Sequence, residues 1–434
     1  MRELPEGWEW TELSTISSVV TGKTPSTTNE GFWNGNIPFV TPSQIDSFGK
    51  ITPTNRHLTV LGSAQARIVP ENSTLAVCIG TVGKIGLLDR PSVINQQINA
   101  IVVSNFISNK FLYYWSQYFL RPWIIENASA TVNASILNKS RLESAPVVLP
   151  PLNEQKRIAD RLDQLLTRID KTKAHLNRIP PLLKRFRQSV LAAATSGKLT
   201  ADWREENSLN QWLDTTIGEL TTEIRYGTSK KCDYEPQATP VLRIPNISDG
   251  QIRHKDMKFA EFDNSELKKL ALSEGDILVI RSNGSLSLVG KTALVSEKEN
   301  GFLFAGYLIR LRMKQGIANP KFISLHISSP SVQDVIEITA RSTSGVNNIN
   351  TEEIKALEIS LPTLEEQQEI IRRVEALFAK ADRIEAQYKN ARQQVDRLTP
   401  ALLAKAFRGE LVPQDPNDES ASVLLERVKE ARSM

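Results

Sequence analysis

Two stretches decide how this chain folds: Leu149–Leu199, LPPLNEQKRIADRLDQLLTRIDKTKAHLNRIPPLLKRFRQSVLAAATSGKL, and Leu361–Leu411, LPTLEEQQEIIRRVEALFAKADRIEAQYKNARQQVDRLTPALLAKAFRGEL. They align without a gap at an offset of 212 residues, and 16 of the 51 positions are identical. A segment repeated half a chain apart implies two similar halves in one polypeptide. Such a molecule can present two similar surfaces at a set distance.

Each copy reads as a long helix with an apolar seam. In the first, Ile158, Leu162, Leu165, Ile169, Thr172, Leu176, Ile179, Leu183, Phe186 and Val190 follow alternating steps of four and three residues. The matching positions in the second are Ile370, Val374, Leu377, Ala381, Ile384, Tyr388, Ala391, Val395, Leu398 and Leu402. That 3.5-residue period keeps one stripe facing a partner helix. About 45 residues at ~1.5 Å each make a rod of roughly 65 Å. Pro180-Pro181 predicts a kink in the first copy. Thr363-x-x-Glu366 reads as a capping box, and Gly197 and Gly409 stand where C-caps belong. Two ordinary amphipathic helices, or coiled coils to separate partners, are the plainer alternative. A seam kept over such a length, twice, is better explained by the two helices packing on each other antiparallel.

Before each helix lies a segment of short apolar runs broken by Gly and Pro. Thr74–Ile79, Ala100–Val103, Ile277–Ile280 and Tyr307–Leu311 predict strands, and Phe111–Leu120 and Pro320–Ser328 short helices. The expected fold class is therefore α+β: two β-rich mixed domains separated by two long antiparallel coiled-coil helices, with a pseudo-twofold internal repeat. The expected boundaries are a first domain at 1–150, the first helix at 151–199, a second domain at 200–360, the second helix at 361–411 and a tail at 412–434. Weak likenesses join the two domains. Trp8…Leu13 parallels Trp212…Ile217, and Gly83-Lys84 parallels Gly290-Lys291. One frame with different loops suggests two different ligands of one class.

Composition narrows the class. Hydrophobic residues make up 40% and charged residues 24% of 434, ordinary for a soluble protein. No apolar run is long enough to span a membrane, and the N-terminal residues have no signal-peptide core. The two cysteines have no metal-ligand spacing and suit a reducing, cytoplasmic setting. Net charge is +4. Residues 151–199 hold 11 Lys/Arg against 4 Asp/Glu, so the first helix carries the basic excess. A basic face supports phosphate tracking only weakly, because charge runs are usually solvated faces.

Catalytic signatures are missing. Gly284–Thr292, GSLSLVGKT, has five residues between its glycines where a P-loop needs four, and reads as a turn followed by a strand. The four histidines have no ligand or base at helical spacing, and there is no HExxH, CxxC or GxSxG. No catalytic residue, metal site or cofactor is therefore assigned to the chain, which favours binding over chemistry. Several polar clusters have the side chains that read DNA. In the first half these are Lys23 and Thr24, Lys84, Gln96 and Gln97, and Asn133 with Ser135. In the second they are Tyr226, Thr228, Ser229, Lys230 and Lys231, then Arg281, Ser282 and Asn283, then Lys291, Asn347 and Asn348. Arg meets guanine edges, Asn and Gln meet adenine edges, and Lys, Ser and Thr more often hold phosphates.

These residues resemble the DNA specificity subunit of Type I restriction–modification systems. The likeness rests on LPEGW at 4–8, LPPLNEQKRIA at 149–159 and its repeat LPTLEEQQEI. KRFRQSVLAAATSGKLT at 184–200 and LLAKAFRGELVPQDP at 402–416 add to it. A PL-x-EQ start joined to a long helix ending in GKL or GEL, twice, is specific, and the resemblance covers nearly the whole chain. It implies two target-recognition domains on an antiparallel helical spacer, each reading half of a split, asymmetric double-stranded DNA target. It also implies that two methylation subunits, which use S-adenosylmethionine, and restriction subunits, which use ATP and Mg, dock on the spacer and do the chemistry. No base-contact residue carries over from the family. The rivals are a fused methyltransferase or nuclease acting alone, and a scaffold that binds only proteins.

Overall fold

The computed structural model describes residues 4–46, 49–130, 135–209, 211–235, 238–248, 250–341 and 345–433. The chain divides into two compact units, Met1–Leu176 with Asn390–Met434, and Asn177–Lys389.

In the first unit a four-stranded antiparallel sheet runs in the order Ser17–Thr21, Ile98–Val103, Thr74–Val77, Ile85–Leu87. Its central strand is buried on both faces, so successive residues feed two cores. Ala76 and Cys78 join the core with Phe111, Leu112 and Trp115, while Leu75 and Val77 join one with Val40, Val69 and Ile94. The second unit repeats the plan with Thr221–Tyr226, Leu308–Met313, Ile277–Ile280 and Thr292–Leu294. Ile277 and Val279 face one core there, Leu278 and Ile280 the other. In each unit a second sheet, of four strands in the first and three in the second, has one parallel pairing, Phe39 opposite Val93 and Val241 opposite Leu303. Each body is closed by a pairing of its first and last strands, Glu9–Glu12 with Pro146–Leu149 and Leu213–Thr216 with Glu358–Leu361. The predicted strands and short helices are all present, within a few residues of their expected ends.

The first repeated segment forms two helices, Leu152–Leu176 and Ile179–Thr195, and the second a single helix, Leu364–Ala406. Pro180 and Pro181 open the second helix of the pair, where a missing N–H costs no hydrogen bond. Gly197 and Gly409 lie in the left-handed region at φ +75° and +74°, as C-terminal caps require.

Within each unit the apolar positions of the helices are buried where they meet a globular core. In the first unit Ile158 and Leu162 pack with Leu403, Ala406, and Ala421 and Leu424 of the C-terminal helix Ala421–Ser433. Lys173 pairs there with Asp396 at 3.4 Å. In the second unit Val190 and Ala194 pack with Ile370 and Val374, and Arg187 meets Asp382 and Glu385. Ile169 and Leu183 are buried, while Leu165, Leu176, Leu377 and Val395 are half-buried. Ile384 and Leu398 depart from expectation, each 46% exposed. Both lie away from the globular cores of their units, where less of the chain covers them.

The L-x-E-Q element common to both copies, Leu152–Gln155 and Leu364–Gln367, has a physical reason in each unit. Glu154 accepts the Trp8 indole N–H at 2.9 Å, and Glu366 accepts that of Trp212 at 3.0 Å. The next residue, Gln155 or Gln367, donates to the carbonyl of Pro150 or Pro362. Its oxygen accepts the backbone N–H of Ser108 or Asn319, the N-cap residue of a short helix. All four motif side chains are essentially buried. The capping-box reading is thereby corrected. Thr363 does accept the Glu366 N–H at 3.4 Å, but the Glu366 carboxylate turns inward to Thr200, Arg204 and Trp212.

Candidate nucleic-acid interface

Most of the candidate residues sit at one end of the antiparallel four-stranded sheet of their unit, on a shared backbone frame. Gly22 donates to the Ile98 carbonyl and Lys23 to Ile94; Gly227 donates to Leu308 and Thr228 to Phe304. A Cβ on Gly22 would lie 2.1 Å from the Asn95 oxygen, and one on Gly227 2.2 Å from the Phe304 oxygen. Only glycine allows so close an approach. Cys78 donates to Gln97 and its carbonyl accepts from Leu137, as Arg281 does with Tyr307 and Ile349. Val77 donates to the Lys84 carbonyl, and Ile280 to that of Lys291. Through these bonds each position in one half has its counterpart in the other.

The first half gathers most of its candidates. Thr24 donates to the Gln96 amide oxygen at 2.6 Å, and Gln97 accepts from Asn95 at 2.8 Å. Ser135 pairs with Gly80, where a Cβ would lie 3.1 Å from the Gln97 amide nitrogen. Lys23 and Gln96 are exposed. Asn133 lies outside the described residues. Lys84 points elsewhere: its ammonium donates to the carbonyls of Pro42 and Ile45 at 2.9 and 3.1 Å. It ties a loop down instead of meeting a phosphate, a correction to the expectation from its sequence. Burial pushes the Cys78 thiol up to about 11, so it stays neutral.

The second half gathers Tyr226, Arg281, Asn283, Asn347 and Asn348. Ser282–Asn283 pairs antiparallel with Asn347–Asn348. Arg281 lies over the Tyr226 ring at 4.5 Å, and its Nε donates to the Asn348 amide oxygen at 3.0 Å. Asn283 and Asn347 serve the backbone, the first accepting from Ser285 and the second donating to the Asn283 and Gly284 carbonyls. Thr228 accepts the Lys230 N–H, and Lys230 leans on Phe262 and Glu266. Ser229 and Lys231 are exposed. Lys291 stands apart and exposed, lining a groove of about 480 Å³ with Lys184, Arg187 and Gln188. The segment 284–290 is a short helical turn running into the strand Thr292–Leu294, as its failed P-loop spacing implied. Sequence reasoning missed Tyr307, 62% exposed at the position equivalent to Gln97. It counted only as the start of a strand.

A profile of the Type I restriction modification DNA specificity domain matches residues 5–180 and 210–392. The chain belongs to this family. It is similar to the Type I restriction enzyme EcoKI specificity subunit of Escherichia coli (strain K12), 34% identical over 450 residues, covering 99% of this chain and 97% of that protein. Against the StySPI specificity subunit of Salmonella potsdam it is 33% identical over 451 residues, covering 100% and 97%. The HsdS subunit from Thermoanaerobacter tengcongensis has the same fold, with a TM-score of 0.57 at 18% identity over 94% of this chain and 98% of that one. A chain from work on complex assembly and conformational transition of the type I R-M system reaches 0.73 at 18% identity, over 94% and 100%. The two matched blocks of the specificity family fall on the two sheet-bearing bodies, each with part of the helical segment that follows it. Among the described residues no helix is long and apolar enough to cross a membrane, and no cluster of His, Cys, Asp and Glu could hold a metal ion.

Proposed function

We propose that this chain is the DNA-reading subunit of a Type I restriction–modification complex and recognises an asymmetric bipartite target. Residues about 1–150 read one half-site and about 200–360 the other. The long helices pack as an antiparallel coiled coil that sets the gap and docks two methylation subunits and the restriction subunits. S-adenosylmethionine and ATP act in those partners. The observation that carries the reading is the pair of sheet ends: one backbone frame, with glycines that admit no side chain, bearing different polar side chains in the two halves. A shared frame would present both ends to DNA in a like manner, and the differing side chains would make the two half-sites differ. Antiparallel packing is supported by Lys173 with Asp396 in one unit and Arg187 with Asp382 and Glu385 in the other. For both ends to meet one face of the duplex, the half-sites lie about one helical turn, ~34 Å, apart.

The test is co-expression with the neighbouring methylation subunit in a host without adenine methylation, with modified adenines read by long-read sequencing. One asymmetric two-part motif with a fixed gap is expected. A soluble complex that modifies no adenine would overturn the proposal. Replacing Leu165 and Leu377 together by Asp should then uncouple the half-sites; methylation at the unaltered level would remove the coiled-coil spacer from the account.

A further inference from the structure

Arg281 differs from every other cation of the candidate interface in how it is held. Its backbone is pinned on both sides, donating to the Tyr307 carbonyl at 3.0 Å and accepting from Ile349 at 2.9 Å. Its guanidinium lies on the Tyr226 ring at 4.5 Å, and that ring is itself fixed because the Tyr226 hydroxyl accepts the Thr351 N–H at 3.0 Å. The Asn348 amide oxygen takes the Nε–H. Ring, amide and backbone together define the plane of the group and its direction. Among the described residues no carboxylate pairs with it, and Nη1 and Nη2 have no partner. Lys230, by contrast, is shared with Glu266, and Lys84 is bound to carbonyls.

A planar cation fixed in this way, with its two terminal nitrogens free, fits an acceptor pair lying in one plane. The O6 and N7 atoms on the major-groove edge of guanine are such a pair, and a bidentate arginine is their commonest partner. With Nε occupied, only the end-on approach through Nη1 and Nη2 is left. A phosphate would also accept two N–H groups, but it tolerates many orientations and needs no ring beneath the guanidinium. Among the described residues the first half has no equivalent: its counterpart position is the buried, neutral Cys78, and the neighbouring amides are already bonded, Gln96 accepting from Thr24 and Gln97 from Asn95. We infer that Arg281 reads a guanine in the half-site of the second domain, with Tyr226 and Asn348 as the residues that position it. This rests on the reading of the second half as a DNA-recognition domain.

The experiment maps methylated adenines genome-wide for the complex of the full chain with its methylation subunit, comparing the native chain with Arg281→Ala, Arg281→Lys and Asn348→Ala. In the native motif one half-site should hold an invariant G·C pair. Arg281→Ala should relax that one position, cutting discrimination against other bases by roughly ten- to a hundredfold, and leave the other half-site unchanged. Arg281→Lys keeps the charge but not the fork, so it should hold overall methylation while weakening the same position. Asn348→Ala should relax it partly. A uniform fall in methylation with every motif position intact would make Arg281 a phosphate contact and overturn the inference. Relaxation at an A·T pair, or at no position while the Arg281→Ala complex stays soluble, would overturn it equally. Absence of any motif with the native chain would instead sink the underlying reading of the chain.

Discussion

Glu154 and Glu366 occupy the same place in the two repeats, and their surroundings differ. Both accept an indole N–H from a tryptophan at the start of their own body. Glu366 also takes the Thr200 hydroxyl at 2.7 Å and the Arg204 guanidinium through several hydrogen bonds. Glu154 has no such cation bonded to it: the nearby Arg157 goes to Asp418 of the tail at 2.6 Å, and the second Glu154 oxygen is buried without a partner among the described residues. Burial pushes the Glu154 carboxyl above its ordinary range, with the Trp8 hydrogen bond and Arg157 pulling only partly back. The repeat thus keeps a geometry while its electrostatics drift. What both copies share is the bond that joins a body to its helix; what differs is which cation, and which piece of chain, completes the joint.

The largest effect is expected at the better-paired copy. Glu366→Ala leaves Arg204, Thr200 and Trp212 without their common acceptor and should destabilise the second unit by about 3–5 kcal/mol. Glu154→Gln keeps an acceptor for Trp8 and removes a charge that burial disfavours, so its effect should stay within about 1 kcal/mol. Urea unfolding of both variants, with hydrogen exchange assigning the loss to a unit, checks the contrast. Equal costs would mean that the two glutamates do the same job.

The seam offers a second contrast. Leu162 is fully buried against the first body, so Leu162→Ala should cost about 2–5 kcal/mol. Leu398, 46% exposed, should lose less than about 1 kcal/mol on the same change. A comparable loss at both sites would show that Leu398 is covered in solution by something outside this chain.

Much of this was legible in the sequence for a physical reason: periodicity is a local property. Steps of four and three along residues 158–190 and 370–402 located the helices, and continuous apolar runs such as Thr74–Val77 located strands covered on both faces. Side-chain partners are not local. Thr363-x-x-Glu366 has the spacing of a capping box, yet the glutamate's partners lie more than 150 residues away. Gly83-Lys84 and Gly290-Lys291 read alike, and only the fold turns one lysine onto the Pro42 and Ile45 carbonyls and leaves the other exposed. Asn347 looked like a base reader, and its amide instead ties together two short paired strands that lie far apart in sequence. Arg281 could be named as a candidate from its chemistry, but not its support by Tyr226 and Asn348.

The two lysines therefore separate by assay. Lys84→Ala should cost about 1–3 kcal/mol of stability, by freeing two carbonyls, and leave the salt dependence of DNA binding unchanged. If Lys291 meets a phosphate, Lys291→Ala should leave stability alone and lower the slope of log affinity against log salt by about 0.9. Identical slopes for the native chain and Lys291→Ala would remove that lysine from the interface.

The smallest expected effect concerns pH, and it should act on the two units in opposite senses. His326 is buried in the second unit with its Nε2 against the Glu358 carbonyl at 2.9 Å. Burial holds its pKa below the ordinary imidazole value. The unfolded chain therefore binds a proton that the folded unit resists, so stability contributed by neutral His326 is present above about pH 6.5 and falls as pH drops below it. Glu154 works the other way. Its folded pKa is raised, the native first unit holds the proton more tightly than the unfolded chain, and its penalty at neutral pH is relieved in acid. Urea midpoints measured at about pH 7 and about pH 5.5 should show the second unit weakening; His326→Gln, which retains an N–H for Glu358, should flatten that trend. A slope that persists in His326→Gln would assign the acid sensitivity to another group and leave the histidine as inert core.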